Sequence, residues 1–169
     1  MKKGEIAIAA LSMLLLVTAY SCGSRNKDLI GEWKRTDYMD EPALNYNTSI
    51  EQGFIFYENG KGVYRRKYIT THNDQRANEA YEWAANTDWK TGKDNKGTFL
   101  IVNYHSGEVK NVVGEDKLKI EQEGLKIHNF YNGMVDTLYY RIENNALNTS
   151  KDYGDGKNTI TAKYVRNKN

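Results

Sequence analysis

What most constrains this chain is its rhythm: short runs of alternating apolar and polar residues, each stopped by a turn dipeptide, recur from residue 29 almost to the last. Runs 51–58 and 61–71 flank Asn59-Gly60, a pair that readily adopts the positive φ angles a two-residue hairpin turn needs. Ser106-Gly107, Glu123-Gly124, Asn132-Gly133 and Asn144-Asn145 punctuate the rest in the same way. The count comes to about ten short strands, with none of the strand-helix alternation of a parallel sheet. The expected fold is therefore all-β. An antiparallel up-and-down meander leaves two free edges, and pairing the last strand with the first removes both, which favours a closed β-barrel of about eight to ten strands over a sandwich.

The opening strand illustrates the pattern. Alternation sets Leu29, Gly31, Trp33 and Arg35 on one face and Ile30, Glu32, Lys34 and Thr36 on the other. A glycine inside a strand marks a bend or a close approach, and the Trp33 indole on the same face would fill the space beneath it. Residues 37–49 carry the sole proline, Pro42, among acidic residues and asparagines, and read as a long connection, a lid at the barrel mouth. In 61–71 both Val63 with Ile69 and Tyr64 with Tyr68 are apolar pairs, so the pattern leaves the core-facing side open. Residues 77–85 fit two readings: Ala77, Ala80, Tyr81, Ala84 and Ala85 recur at helical spacing behind Asn73 or Asp74, while a barrel must return here as a strand. Lys117-Leu118-Lys119-Ile120-Glu121 and Leu125-Lys126-Ile127-His128 each alternate, and are expected to be two strands turning at Glu123-Gly124.

With 39% hydrophobic residues, a mean hydropathy of −0.78, 13 Tyr and 3 Trp, the composition suits half-buried β surfaces. The 169 residues are enough for one domain with a core, and no linker divides them. A net charge of +2 from 24 basic and 22 acidic residues gives no field that would select nucleic acid.

Met1-Lys2-Lys3, the apolar run 6–19 and small Ala19 and Ser21 read as a signal peptide over residues 1–21. The sole cysteine, Cys22, stands at its end, and a lone exported thiol has no internal disulfide partner. Thr18-Ala19-Tyr20-Ser21-Cys22 resembles a bacterial lipobox. That resemblance implies that Cys22 is the lipidated first residue of the mature protein. Residues 22–28 then form a short tether that holds the 29–169 barrel domain at a membrane, and Gly23-Ser24, with no acidic run, implies a periplasm-facing outer-membrane lipoprotein.

Three further features carry a second resemblance: Gly31-x-Trp33 on the opening strand, Asn59-Gly60-Lys61-Gly62 after Phe54-Ile55-Phe56-Tyr57, and Tyr164-Val165-Arg166 at the close. Along residues 29–166 the chain resembles the lipocalin-like domains of small Gram-negative lipoproteins. The resemblance implies a strand around Tyr81-Glu82-Trp83 with Trp83 inward, and barrel closure at Gly31, Trp33 and Arg166, the arginine lying across the Trp33 indole. It also implies non-catalytic binding of a small hydrophobic molecule or lipid in the cell envelope. An eight-stranded barrel is just wide enough to be filled by its own side chains or to hold one small ligand. Trp33, Phe54, Phe56, Trp83, Phe99, Tyr104, Tyr139 and Tyr164 are expected to line the interior or to plug it. A filled barrel would instead be an interaction module for an envelope protein or polysaccharide.

Nothing in the motifs calls for catalysis, a cofactor or a metal. No nucleophile elbow, phosphate loop or zinc-protease motif occurs. His72, His105 and His128 lack ligand spacing, and 152–158 lacks the spacing and closing glutamate of a calcium loop and reads as a hairpin connection. Arg65-Arg66-Lys67 alternates faces in a strand and reads as a solvated surface.

Overall fold

The computed structural model describes residues 26–41, 46–73, 78–152 and 159–167. Residues 1–25, with the expected signal peptide and Cys22, and Pro42 and residues 153–158 lie outside them. Eight antiparallel strands form a closed barrel in sequence order: β1 (Gly31–Glu41), β2 (Tyr46–Phe56), β3 (Lys61–His72), β4 (Glu79–Lys93), β5 (Thr98–Val113), β6 (Val135–Glu143), β7 (Ala146–Asp152) and β8 (Thr159–Arg166). One helix, α1 (Lys117–Tyr131), separates β5 from β6.

The turns do what their residues favour. Gly60 takes φ +79 between β2 and β3, and Asn144 and Asn145 take φ 51 and 60 in the tight β6–β7 hairpin. Alternation then assigns the faces: Trp33 pairs with Phe54, Phe54 with Tyr64, and Leu100 with Leu138, all buried. The open question on β3 resolves toward Tyr64, Arg66 and Tyr68 facing in. Residues 79–93 are a strand with Trp83 fully buried, so Ala80, Tyr81, Ala84 and Ala85 lie on β4, and Ala77 lies outside the described residues.

Several expectations fail for physical reasons. The connection after β1 is shorter than 37–49, because β1 runs to Glu41 and β2 starts at Tyr46. Ser106-Gly107 does not reverse the chain; β5 continues to Val113, and a register shift between Ala85 and Thr87 on β4 absorbs the irregularity. The two strands expected over 117–128 are one helix. Asp116 caps it, its Oδ1 accepting from Lys119 N at 3.0 Å. Ile120, Gly124, Ile127 and Tyr131, at spacings of four and three, form its covered face. Gly124, expected in a turn, is a packing contact: an added Cβ would stand 2.6 Å from a Val109 methyl. Asn132-Gly133 therefore joins a helix, not a strand, to β6.

The helix also completes the wall. β5 pairs with β6 only from Phe99 to Asn103, and beyond that point α1 packs on β4 and β5. One end of the barrel carries Trp33, Phe56 and Trp89. The other, the mouth, carries α1, the far halves of β1 to β5 and the start of β6.

Candidate functional site

The closed end is built around Trp33. Its Nε1 donates to Leu29 O at 2.7 Å, and both side chains are fully buried. Arg166, paired with Trp33 across the β1–β8 seam, lies 4.3 Å from the indole centroid. Its Nη1 donates to Ile30 O at 2.7 Å and its Nη2 to Asp28 O, satisfying carbonyls of the turn that plugs this end. Gly31 makes room: at φ +122, a Cβ there would meet Arg166 Nη1 at 3.1 Å. Above this lid, Phe54 and Phe56 stack at 5.3 Å, Phe56 meets Trp89 at 5.2 Å, and Trp89 Nε1 donates to Lys61 O at 2.9 Å.

Toward the mouth the interior becomes phenolic and charged. Tyr131 of α1 reaches in to Trp83 at 4.9 Å, Tyr104 at 5.3 Å and Tyr64 at 5.7 Å between ring centroids. A polar chain crosses the lumen wall: Tyr64 OH donates to Gln52 Oε1 at 2.7 Å, Gln52 Nε2 to Asp37 Oδ2 at 2.6 Å, and Arg35 Nε to the same oxygen at 2.9 Å. Across the barrel Tyr104 OH donates to Asp136, which also accepts from Lys151. Burial pushes the Tyr64 and Tyr104 hydroxyls far above their ordinary range, and pushes Tyr164 up to about 12, so all three stay protonated.

Arg66 stands apart. Arg35 and Lys151 each meet a carboxylate, whereas among the described residues Arg66 meets none. Its Nη1 donates to Tyr131 OH at 3.1 Å, its guanidinium lies 5.2 Å from the Tyr68 centroid, and its Nε is buried without a partner. Tyr68 stacks in turn on Tyr81 at 4.7 Å. Beside these residues a cleft of about 250 Å³ runs between α1 and the strands, lined by Arg66, Tyr81, Glu123, Ile127, Phe130 and Tyr131, with Lys126 at its rim.

Of the eight aromatics expected inside, Trp33, Phe54, Phe56, Trp83, Tyr104 and Tyr164 lie in one buried cluster. Phe99 and Tyr139 do not. They pair across β5 and β6 on the outer face, 6.3 Å apart, because Leu100, Val102 and Leu138 take the inward phase; Tyr139 OH donates to Asp94 at 2.8 Å. Sequence reasoning misses Arg66 and Tyr131. Arg66, expected on a solvated face, keeps phase with Tyr64 and Tyr68 and so points inward with them. Among the described residues no three His, Cys, Asp or Glu side chains are placed to hold a metal ion. His105 instead bonds Asp88 at 2.8 Å. Set against known proteins, the chain matches no family profile and no curated protein.

Proposed function

We propose that this is a lipocalin-like binding protein that takes a small hydrophobic or amphipathic molecule at the barrel mouth, without chemistry, while tethered to the cell envelope through Cys22. The observation that carries the reading is the cleft beside α1, whose inner wall is continuous with the aromatic interior while the far end is sealed by Trp33 and Arg166. Trp83 reports on the site, since Tyr131 separates it from the cleft by one ring contact. An apolar fluorescent probe should quench tryptophan emission saturably, and Trp83→Phe should remove most of the quench. Unsaturable or absent quenching overturns the reading.

The tether supports the same orientation. Asn26 Nδ2 donates to Tyr140 OH at the closed end, and the four residue-to-residue steps from Cys22 to Asn26 span at most about 14 Å of extended chain. A lipid on Cys22 would set the closed end against the bilayer and turn the mouth away from it. Cys22→Ser should release the protein from the membrane fraction, and retention there would remove the anchor from the proposal.

One observation favours an interaction module as a second reading. A wide groove of about 1100 Å³ runs outside β6 to β8, with Tyr139, Arg141, Asn148 and Lys163 on its wall. Such polar and aromatic groups suit a polysaccharide or protein surface.

A further inference from the structure

Arg66 is the inward-facing cation whose charge the described residues leave uncompensated. Taking a guanidinium out of water costs several kcal/mol unless an anion and a full set of acceptors replace the solvent. The protein does this for Arg35 with Asp37 at 2.7 Å and for Lys151 with Asp136, but offers Arg66 only the Tyr131 hydroxyl and the Tyr68 ring face. A buried donor left unbonded, such as Arg66 Nε, adds a further cost. The one carboxylate lining the same cleft among the described residues, Glu123, is engaged by Lys126 at 2.7 Å. The arrangement becomes favourable when an outside anion enters. A planar fork with unused donors is the geometry that receives a carboxylate through two parallel bonds.

The rest of the cleft fixes what the anion is attached to. Ile127 is partly buried, and Phe130 is left 70% exposed at the rim, an aromatic surface that the described residues leave largely uncovered. Tyr81 and Tyr131 line its sides. We propose that the mouth cleft selects a small amphipathic carboxylate, its anionic group held by Arg66 and the Tyr131 hydroxyl and its apolar part lying against Ile127 and Phe130. This rests on the binding function proposed above and names its ligand class. It also gives α1 a role, since the helix carries both Tyr131 at the anion and the apolar rim, so binding pins α1 to β3 and β4.

Three probes of nearly equal shape separate the two claims: 2-naphthoate, 2-naphthalenemethanol and 2-naphthylmethylamine, titrated into the intact protein by calorimetry. The acid should bind at least tenfold tighter than the alcohol, and the amine weakest. Arg66→Met should erase the preference of acid over alcohol; Arg66→Lys, which keeps the charge and loses the fork, should fall between. Circular dichroism melts certify that each variant is folded. The wild-type comparison among the three probes stands without any variant. Equal binding of acid and alcohol, or a preference that survives Arg66→Met, overturns the carboxylate assignment and leaves the binding function intact. Saturable binding of none of the three overturns both.

Discussion

The two ends of this barrel solve opposite problems with the same residue types. At the closed end the indoles of Trp33 and Trp89 each find a carbonyl acceptor, and the arginine there, Arg166, spends its donors on backbone carbonyls. At the mouth the Trp83 indole nitrogen and Arg66 Nε are buried with no partner, whereas beside Trp89 at the closed end the described residues leave only the Thr87 hydroxyl so. Buried polar groups that are satisfied fix a structure, whereas unsatisfied ones cost stability and persist where something outside the chain completes them. The difference divides the labour: one end holds the barrel shut, and the other is left incomplete in the manner of a site.

The sharpest way to break that division is to attack the closed end. Trp33→Leu should cost about 3 kcal/mol in unfolding free energy, the range for truncating a large buried aromatic. Combined with Arg166→Met, the double variant should fall short of the summed losses by about 1 kcal/mol, because each substitution removes the same stack. Additive urea-denaturation energies would show that the stack contributes nothing to closure.

The mouth should respond with the opposite sign. Arg66→Met removes a half-buried charge with no carboxylate partner among the described residues, so it should leave stability unchanged or raise it by up to about 1 kcal/mol, as substitutions at binding sites often do. A loss of several kcal/mol would mark Arg66 as structural and make the two ends alike.

The smallest effect refines the seam. The Glu32 carboxyl is held below its ordinary value chiefly by a hydrogen bond from the Asn167 side chain at 2.7 Å, with Lys34 assisting against some burial. A lowered folded-state value adds stability above the unfolded value of about 4.3, and that stability is lost as the pH falls through the folded value. Glu32→Gln should therefore cost about 0.5 kcal/mol at pH 7 and almost nothing at about pH 2.5, the modest size reflecting a solvent-touched pair. A cost independent of pH would mean that the seam does not depend on the carboxylate.

Much of the closed end can be read from the chain, because its determinants are local. Alternation along 29–36 places Trp33 inward, Asn59-Gly60 fixes the β2–β3 register, and Gly31 two residues before Trp33 marks the space that Arg166 fills. The mouth is illegible for a matching reason. Lys117 to Glu121 alternates with a period of two over five residues, so it imitates a strand, and only the longer set Ile120, Gly124, Ile127 and Tyr131 shows the helical period. Pattern misplaces Phe99 and Tyr139 because Phe99 and Ile101 make the outer face at the start of β5 as apolar as the inner one and Tyr139 and Tyr140 adjoin on β6, so their phase is decided by partners distant in sequence. Arg66 escapes notice because charge argues for solvent, and what turns it inward is its place in the alternation with Tyr64 and Tyr68.

The seam has a consequence in time as well as in space. Every pairing joins neighbours in sequence except that of β1 with β8, whose register covers only Trp33 and Lys34 with Asn167 N donating to Glu32 O beside it, and the arginine that bridges them reaches a carbonyl 136 residues away. Bringing such distant segments together carries the largest loop-closure entropy in the meander, so this contact forms after the hairpins have assembled. A contact made after the rate-limiting step leaves the folding rate alone and sets the rate of escape from the native state. Arg166 is then a clasp fastened last: without it the barrel would form as quickly and come apart sooner.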